Sequence, residues 1–333
     1  MIPKMLNQKS SATIIRKGRS NQKVLIQIMQ KERDVSLEGC HRLSWGMRMK
    51  NEGKVKVAYQ GEPGAYSESA VYSYFGSSAQ PVPCKNFSDV FRSVEMGKTE
   101  FGIVPIENSI EGSVNAVYDL FLKYDPKVCG EIILKITHCL IANPGTKLED
   151  IKVIYSHPQA LGQCRTFLGS LNCELISTYD TAGSVKMIKE QRLLSSGAIA
   201  GERAAKIYDM NILARDIADN PNNYTRFFVL SKSDAPPSGN DKTSVIFSTK
   251  HVPGALYQAL GEFAKRNINL TKIESRPTKR RPWEYNFYLD FEGHRSEKKC
   301  AEALEGLRRK AVFVKILGSY PKAQEISEAS ATI

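Results

Sequence analysis

The sequence lacks closely spaced cysteine pairs and long apolar runs. Its 7 cysteines are scattered, and no Cys-x-x-Cys pair supplies the ligand spacing of a structural zinc site. An odd number of unpaired thiols is typical of a reducing compartment. No apolar run approaches the ~18 residues that a transmembrane helix requires. We therefore predict a soluble cytoplasmic protein that holds no metal and does not enter a membrane.

Nucleotide-binding loops are also missing. The spacing Gly61-x-x-Gly64 does not match the Gly-x-Gly-x-x-Gly of dinucleotide-binding proteins. A complete Gly-x-x-x-x-Gly-Lys-Ser/Thr loop, which would bind a triphosphate, does not occur either. The sequence therefore gives no sign of a nucleotide site, and we predict no cofactor.

The excess of positive charge is unevenly distributed. The net charge is +12, but the first 54 residues hold 12 Lys and Arg against 4 Asp and Glu. The remaining residues carry 35 basic and 31 acidic side chains, a balance that is ordinary for a soluble enzyme. The charge pattern shows no excess of basic residues of the kind that binds nucleic acid, and we expect no nucleic acid as a partner.

The basic segment 1–54 has no acidic residue among its first 30 positions, and Ser and Thr are frequent there. That composition is typical of an organelle transit peptide, which would direct the protein to a plastid. Met47 and Met49 lie just before the first predicted strand, so a misassigned start or a disordered extension explains the segment equally well. We expect no packed structure before residue 54.

Four strand-turn-helix units follow the basic segment. Apolar strands at 55–59, 102–106, 152–155 and 173–178 each run into a turn rich in Gly, Ser, Asn or Asp. This alternation predicts an α/β fold built on mainly parallel strands. Ligands bind outside the carboxyl ends of such strands, where helix N-termini favour anions. The same polar residues are ordinary helix N-caps, so only their convergence in one cleft makes them functional.

A second domain is expected after residues 233–242, whose prolines, glycine and polar neighbours indicate a linker. Apolar periodicity within 243–321 gives the order βαββαβ, which is the plan of ferredoxin-like domains. The tail 322–333 is expected to be mobile.

Four short motifs follow one another in a particular order. They are Asp180-Thr181-Ala182, Asn223-Tyr224-Thr225-Arg226-Phe227, Gly254-Ala255-Leu256 and Glu274-Ser275-Arg276-Pro277. With these motifs, residues 55–321 resemble the prephenate dehydratase family, whose close relatives, the arogenate dehydratases, use the aminated form of the substrate. The βαββαβ part resembles an ACT domain that binds phenylalanine.

The resemblance implies a catalytic domain over residues 55–232, with two lobes like those of periplasmic binding proteins. Lobe 1 is expected at about 55–132 plus 208–232, and lobe 2 at about 133–207. The active site would lie between the lobes, and the ACT domain would occupy residues 243–321.

Prephenate carries two carboxylates and a ring hydroxyl, and loss of water and carbon dioxide makes its ring aromatic. Aromatisation supplies the driving force. The enzyme must donate to the leaving hydroxyl, hold the carboxylates and exclude water. The resemblance assigns these tasks to Thr225, Arg226 and Phe227 in that order. Taken alone, the same tripeptide could simply begin an apolar strand with a surface arginine.

Donors near the strand ends are the predicted substrate contacts. His157 could act as a general acid or cap a helix. Glu107 and Glu111 receive no catalytic role, because the turn between them prevents their pairing on one helix. The predicted contacts are Gln60, Gly61, Asn108, Ser109, Ser156, Gln159, Thr181 and Ala182.

The resemblance to a phenylalanine-binding ACT domain implies an effector site that controls the catalytic cleft. Related ACT domains pair to form such sites, so a homodimer or homotetramer is expected. The alternative is a purely structural role, in which Gly254 begins a helix and the charged residues lie at the edge of a sheet without binding an effector. The implied effector residues are Gly254, Ala255, Leu256, Asn269, Leu270, Glu274, Ser275, Arg276 and Pro277.

Two alternatives compete with a prephenate dehydratase. An arogenate dehydratase would use nearly the same site, and the short turn between Pro277 and Tyr285 is what favours prephenate. A non-catalytic amino-acid sensor would show the same lobes and the same ACT domain. Thr225 separates the sensor from the enzymes, because a sensor has no use for its hydroxyl.

Overall fold

The computed structural model describes residues 54–278 and 283–323. The predictions for the basic segment up to residue 53 and for the tail beyond residue 323 lie outside the described residues. No helix within the two described ranges is long and apolar enough to cross a membrane.

Strands and helices alternate along the described chain, as the apolar periodicity predicts. The strands are β1 (Val55–Gln60), β2 (Ala79–Cys84), β3 (Phe101–Asn108), β4 (Gly112–Ser113), β5 (Lys127–Lys135), β6 (Cys139–Ala142), β7 (Val153–Ser156), β8 (Glu174–Ser177), β9 (Ser196–Ala200), β10 (Asn211–Ala214), β11 (Tyr224–Ser231), β12 (Asp241–Thr249), β13 (Leu270–Pro277), β14 (Tyr285–Glu292) and β15 (Ala311–Pro321). The α-helices are α1 (Tyr66–Phe75), α2 (Phe87–Glu95), α3 (Asn115–Lys123), α4 (Pro158–Gly162), α5 (Arg165–Gly169), α6 (Thr181–Glu190), α7 (Glu202–Ile207), α8 (Ala255–Ala264) and α9 (Lys298–Lys310).

The first sheet has the strand order β2-β1-β3-β11-β5, and β4 pairs with β3. β1 runs parallel to β2 and β3, whereas β11 is antiparallel to both of its neighbours. The difference arises because β11 follows the chain's return from the second sheet and enters between two strands formed earlier. The predicted parallel arrangement therefore holds for only part of this sheet. We call this sheet with α1–α3 lobe 1.

The second sheet has the order β10-β6-β9-β7-β8, and with α4–α7 it forms lobe 2. β7 is parallel to β8 and β9, while β6 is antiparallel to β9 and β10. Two boundaries differ from the expected ones. β5 continues in lobe 1 as far as Lys135, and β10 joins lobe 2 although the sequence assigns 208–232 to lobe 1. Strand pairing decides membership of a sheet, and an apolar pattern does not reveal the pairing.

The third sheet, β13-β14-β12-β15, carries α8 and α9 on one face, which gives the predicted βαββαβ order. Side chains alternate along a strand, so Val245 and Phe247 of β12 and Leu289 of β14 face these helices. Helix α9 meets them with apolar residues spaced three and four positions apart, as an amphipathic helix requires. These residues are Cys300, Ala303, Leu304 and Leu307.

The other face of the third sheet packs on lobe 1. Ile246, Tyr288 and Tyr320 point to this side and share one buried cluster with Phe228 of β11. The rings of Tyr288 and Tyr118 meet edge to face with centroids 4.6 Å apart. The third sheet is therefore joined to lobe 1 by a common apolar core as well as by the linker.

Candidate functional site

The start of β11 lies beside the carboxyl ends of β1 and β3. β1 ends at Gln60 and β3 ends at Asn108, and these two strands are parallel. β11 runs in the opposite direction, and Thr225 pairs with Asn108. Strand pairing thus brings Asn108, Ser109 and Thr225 together, although 117 positions separate the first from the last.

The edges of the two lobes lie in direct contact along the predicted cleft. A Cβ added to Gly61, in the turn after β1, would lie 3.0 Å from the carboxylate of Asp180 in lobe 2. A Cβ on Gly64 would lie 2.7 Å from the backbone of Ala204. Both glycines also have positive φ, +117° and +94°, which other residues rarely adopt. Glycine at these positions therefore permits the close approach of the lobes.

Two ion pairs join the lobes near these glycines. Lys186 Nζ lies 3.0 Å from Glu62 Oε2, and Arg203 Nε lies 2.8 Å from Glu68 Oε2. Both cations are more than a third exposed, so each pair adds little stability on its own. Their placement shows that the cleft edges are in direct polar contact.

Asn108 restricts the orientation of the Thr225 hydroxyl. Asn108 Oδ1 accepts the backbone N–H groups of Ile110 and Glu111 at 2.9 and 3.0 Å, so its Nδ2 faces the other way. Nδ2 donates to Thr225 Oγ1 at 2.9 Å. Among the described residues no acceptor meets the Thr225 hydroxyl, so its proton can point to a ligand. Thr225 therefore presents a hydrogen-bond donor whose direction is restricted.

The amide chain continues into lobe 2 through residues that the sequence analysis missed. Asn108 Nδ2 donates to Asn223 Oδ1 at 2.8 Å, and Asn223 Nδ2 donates to Gln163 Oε1 at 2.8 Å. Gln163 Oε1 lies 2.9 Å from His138 Nε2, and His138 Nδ1 lies 2.8 Å from the Tyr66 hydroxyl. Asn223 stands inside a quoted motif, which was the only available signal. Apolar periodicity does not identify Gln163, His138 or Tyr66.

Burial shifts two ionisable groups of the cleft. It lowers the pKa of His138, against the opposing effect of the hydrogen bond to Gln163. It raises the pKa of Asp180, against the backbone N–H groups that the carboxylate accepts. One of these is the N–H of Gly183 at 2.8 Å, so Asp180 caps α6. Both shifts favour the neutral forms of these side chains.

Arg226 lies on the opposite face of β11 from Thr225, because adjacent residues on a strand alternate. Its guanidinium lies 2.7 Å from Glu131 and 2.7 Å from Asp290 of the third sheet, and it donates to the Tyr320 hydroxyl at 3.1 Å. Burial disfavours the charge, but Asp290, Tyr320 and Glu131 outweigh burial and raise the pKa of Arg226 well above its usual value. The geometry therefore differs from the expected carboxylate-holding role. Arg226 is held at the contact with the third sheet.

Two predicted substrate contacts serve the backbone instead. Ser109 Oγ accepts the N–H of Tyr224 at 2.9 Å and so helps to hold the start of β11. Ser156 is 0% exposed and donates to the carbonyl of Ile199 at 2.7 Å. Ser156 is therefore a correction to the prediction, because its hydroxyl links β7 to β9 and does not reach the cleft.

The remaining predicted residues lie at strand ends and helix starts. His157 caps α4, since its Nδ1 accepts the N–H of Gln159 at 3.3 Å, and this favours the capping interpretation over a general acid. The side chain of Gln159 is exposed. Gln60, Gly61 and Thr181 are partly exposed, whereas Ala182 and Phe227 are buried.

The Glu274 to Pro277 motif is divided between two faces of the third sheet. In β13, Glu274 pairs with Tyr288 and Ser275 pairs with Phe287. Paired residues share a face, so Ser275 lies on the helix side and Glu274 on the side of lobe 1. Arg276 lies on the lobe 1 side too, where its NH1 donates to a main-chain carbonyl at 2.6 Å.

The other predicted effector residues lie around α8 and β13. Gly254 has φ +78°, a left-handed conformation that favours glycine, and it is the N-cap residue of α8. Asn269 donates to Glu292 at 3.2 Å. Leu270 begins β13 and Pro277 ends it, so the set spans the whole strand. Ala255 and Leu256 form the first turn of α8.

Comparison with protein families covers both parts of the chain. The family model for prephenate dehydratase matches residues 57–235, and the model for the ACT domain matches residues 243–309.

Similar proteins occur in bacteria and plants. A bifunctional chorismate mutase/prephenate dehydratase of Aquifex aeolicus is 46% identical over 275 residues, which are 82% of this chain and 75% of that protein. The chloroplastic arogenate dehydratase/prephenate dehydratase 2 of Arabidopsis thaliana is 43% identical over 282 residues, 81% of this chain and 74% of that protein.

A solved structure shows the same fold. The prephenate dehydratase of Arthrobacter aurescens in complex with L-Phe superposes with a TM-score of 0.75 at 35% identity. The superposition covers 80% of this chain and 90% of that one.

Proposed function

Because the chain belongs to the prephenate dehydratase family of lyases and carries a C-terminal ACT domain, we propose that it converts prephenate to phenylpyruvate under the control of phenylalanine. This reaction serves the synthesis of L-phenylalanine. The observation that carries the proposal is the Thr225 hydroxyl, whose oxygen is held by Asn108 while its proton is left for a ligand.

The reaction breaks two bonds at opposite positions of the ring. The electron pair of the bond to the departing carboxylate enters the ring and expels the hydroxyl at the far carbon. Carbon dioxide leaves, and the departing oxygen takes up one proton, ultimately from solvent, and leaves as water. Negative charge grows on the departing oxygen, and a donor aimed at that oxygen lowers the barrier. A threonine hydroxyl is a weak acid, so its contribution comes from its placement.

The substrate carboxylates need N–H donors or cations. The first turn of α6 contains Thr181 and Ala182, and the N–H groups at a helix start favour anions. Gln60, Gly61 and Gln159 lie on the facing edges of the lobes and complete the proposed contacts. Arg226 is not assigned to the substrate, because Glu131 and Asp290 already neutralise it.

The proposed role of Thr225 is tested by substitution. Thr225→Val keeps the shape of the side chain but removes the proton, and should lower kcat about 100- to 1,000-fold. Thr225→Ser keeps the hydroxyl and is the matched control, expected within about tenfold of the wild-type protein. The measurement is release of phenylpyruvate from prephenate, with circular dichroism to confirm that each variant is folded.

An inactive but folded wild-type protein would contradict the proposal. If that protein still bound phenylalanine, the amino-acid sensor would be the better interpretation.

The choice of prephenate over arogenate is the finer part of the proposal. It is supported by the 46% identity to an enzyme named as a prephenate dehydratase, but the 43% identical plant relative carries both activities in its name. Incubation with each substrate, followed by assay of phenylpyruvate and phenylalanine, compares the two kcat/KM values. A larger value for arogenate would reverse the assignment.

Control by phenylalanine is proposed from the ACT domain and from the L-Phe complex of the Arthrobacter aurescens relative. The proposed effector residues are those around the start of α8 and along β13. Pairing of two ACT domains in a homodimer, or in a homotetramer, would bring a second copy to this region. β13 is an edge strand, and Ile273 on its helix face is 46% exposed, which suits such a contact.

A cytoplasmic location is proposed as well. The six cysteines of the described ranges are free thiols, which suits a reducing compartment. The plastid remains the alternative, as in the chloroplastic plant relative.

A further inference from the structure

Strand β13 of the third sheet has one face toward the helices and the other toward lobe 1. Lys272, Glu274 and Arg276 alternate along β13, so their side chains share the face toward lobe 1. Ile273 and Ser275 lie between them and point to the side of α8 and α9. β13 therefore connects the region of α8, where the proposed effector residues begin, to the surface of lobe 1.

Two of the three charged side chains bind short outer elements of lobe 1. Arg276 Nη1 donates to the Asn115 carbonyl at 2.6 Å and Nη2 lies 3.4 Å from Asp119, so Arg276 holds the first half of α3. Glu274 accepts a hydrogen bond from Ser113 Oγ in β4. These contacts hold β13 against α3 and β4.

The Lys272 ammonium binds the third sheet and lobe 1 at once. Its Nζ lies 2.8 Å from Glu107 Oε1 in β3, 3.0 Å from Ser113 Oγ in β4 and 3.3 Å from Glu274 Oε2 on its own strand. The side chain is only 11% exposed, so salt in the solvent screens these contacts weakly. A single cation thus bridges two carboxylates, one from the third sheet and one from lobe 1.

Glu107 is the residue before Asn108 in β3. Side chains alternate along the strand, so Glu107 faces the third sheet, while Asn108 faces the cleft and donates to Thr225 Oγ1 at 2.9 Å. The contact with Lys272 therefore acts on β3 one residue away from the amide that restricts the Thr225 hydroxyl. A displacement of β3 at this point moves that amide relative to the hydroxyl.

The position of β13 in its sheet favours a shift of this strand against lobe 1. β13 lies at the edge of the third sheet and, among the described strands, pairs only with β14. This pairing is irregular between Leu270 and Lys272, and irregularities of this kind bend a strand and re-aim its side chains. An edge strand also breaks fewer hydrogen bonds when it moves than a strand with two neighbours.

We propose that Lys272 couples the effector region to the catalytic residues: a shift of β13 reaches β3, and with it the Asn108 amide, through the contact between Lys272 and Glu107. This structure shows the arrangement in which that ion pair is closed. In the second arrangement β13 is displaced and the ion pair is open. Phenylalanine changes turnover because its affinity for the two arrangements differs. The inference rests on the proposed function and names the contact through which that function is regulated.

Substitution of Lys272 in the full-length protein tests the coupling. Lys272→Met keeps an unbranched side chain of similar length without the charge. The change in kcat/KM that phenylalanine causes should shrink about 3- to 10-fold toward no effect, while the Kd of phenylalanine stays within about threefold. Turnover of prephenate with and without phenylalanine measures the first quantity, and calorimetry measures the second.

The absolute value of kcat/KM separates lost coupling from general damage. In Lys272→Met it should lie at or between the two wild-type values, measured with and without phenylalanine, because no catalytic group has been removed. A value below both would overturn the proposal, since Lys272 would then support the catalytic residues directly. Lys272→Gln is measured beside it, because it keeps a donor for Ser113 without the charge, and it should lose the phenylalanine effect as well.

The matched control is Lys315→Met. Lys315 also joins the third sheet to lobe 1, since its Nζ lies 2.8 Å from the Tyr124 carbonyl and 3.2 Å from Asp125. It belongs to β15, at the opposite edge of the sheet from β13. This variant should keep the wild-type phenylalanine effect, even where urea unfolding shows a loss of stability like that of Lys272→Met. An equal loss of the effect in both variants would assign the coupling to docking of the sheet in general and overturn the role of Lys272.

Ser113→Ala tests the competing route through Glu274. Ser113 Oγ accepts from Lys272 and donates to Glu274, so it offers a second path from β13 to β4. The variant leaves the ion pair between Lys272 and Glu107 in place and should therefore keep the phenylalanine effect within about twofold of the wild-type effect. A loss as large as that in Lys272→Met would move the coupling to Glu274 and overturn the proposal.

The failure of each idea has its own signature. Wild-type protein without turnover of either substrate would remove the proposed function and this inference with it. Turnover that does not respond to phenylalanine would remove the proposed control. A wild-type protein that responds, with Lys272→Met and Lys272→Gln variants that respond equally, would overturn the role of Lys272 alone.

Discussion

The side-chain amide of Asn108 limits the directions in which the Thr225 hydroxyl can donate a hydrogen bond. A threonine in an open cleft can turn its proton in several directions, but Asn108 occupies the oxygen and restricts that choice. The restriction costs nothing at the moment of reaction, because the amide is already held by two backbone N–H groups. The contribution of Thr225 therefore depends on the direction of its hydroxyl proton more than on the acidity of that hydroxyl.

His138 should make stability depend on pH. Burial lowers its pKa from 6.5, so between the folded and unfolded values the unfolded chain binds more protons. The free energy of unfolding should therefore fall as the pH drops below about 6.5 and approaches the lowered pKa. Urea unfolding over about pH 5 to 8 measures this effect in the wild-type protein and in His138→Gln.

In His138→Gln, the free energy of unfolding should fall less as the pH drops than it does in the wild-type protein. The exposed His251 provides the control, since His251→Gln should leave the pH dependence as it is in the wild-type protein. Equal curves for the wild-type protein and His138→Gln would show that other groups cause any acid sensitivity.

Part of the site can be read from the sequence at this scale. The motif around Thr225 and the polar turn at Asn108 both indicate donors near strand ends, and the structure places them together. Tyr66, His138 and Gln163 could not be found in the same way. Tyr66 of lobe 1 and Gln163 of lobe 2 both contact His138 on the segment that connects β5 to β6, and contacts over such separations leave no local periodicity.

At the scale of elements, β11 gives neighbouring motif residues different tasks. A strand alternates its side chains, so Thr225 faces the cleft network and Arg226 faces the third sheet. The motif shows which residue types are present, but not which face each one occupies. That information depends on what packs on either side of β11, and this is why the role expected of Arg226 does not fit.

A glycine controls the contact between β15 and β5. A Cβ on Gly318 would lie 2.0 Å from the carbonyl oxygen of Val128, far inside van der Waals contact. Gly318→Ala must push the third sheet away from lobe 1 and should reduce the free energy of unfolding by about 1–3 kcal/mol. Gly261→Ala is the matched control, because a Cβ there meets nothing within 4 Å.

Gly261 lies inside α8, where alanine is favoured by up to about 1 kcal/mol. Chemical denaturation of both variants gives the comparison. Equal stability of Gly318→Ala and the wild-type protein would show that the sheets part without cost.

At the scale of the whole molecule, the third sheet touches the strand that carries Thr225. Arg226 follows Thr225 directly and binds Asp290 of β14, and Lys272 of β13 binds Glu107 of β3 at 2.8 Å. A change in the third sheet therefore has a short physical route to the cleft. Such coupling requires that the two arrangements differ in affinity for the effector.

Asp290→Asn should weaken this coupling. The substitution removes one charge from Arg226 but leaves Glu131 in place, so phenylalanine should still bind while its effect on turnover shrinks by about 0.5–2 kcal/mol of coupling free energy. Calorimetry measures binding, and turnover with and without phenylalanine measures coupling. Glu305→Gln, an exposed ion-pair partner on α9, should change neither quantity.

An unchanged phenylalanine effect in Asp290→Asn would place the coupling elsewhere. The sequence predicted the order of the elements in this domain, since amphipathic spacing marks each helix and strand. The docking face of the sheet could not be predicted in the same way, because both faces of β12 and β14 are buried and neither looks exposed in the sequence.

The position of β11 also has a consequence for how the chain reaches its native state. Among the strands of lobe 1, β11 is synthesised last, after the whole of lobe 2. It inserts between β3 and β5. Closing such long loops is slow, so a growing chain on the ribosome exposes two unpaired strand edges until residue 231 has emerged. A fragment that ends before β11 should aggregate, and the two lobes should fold as one cooperative unit.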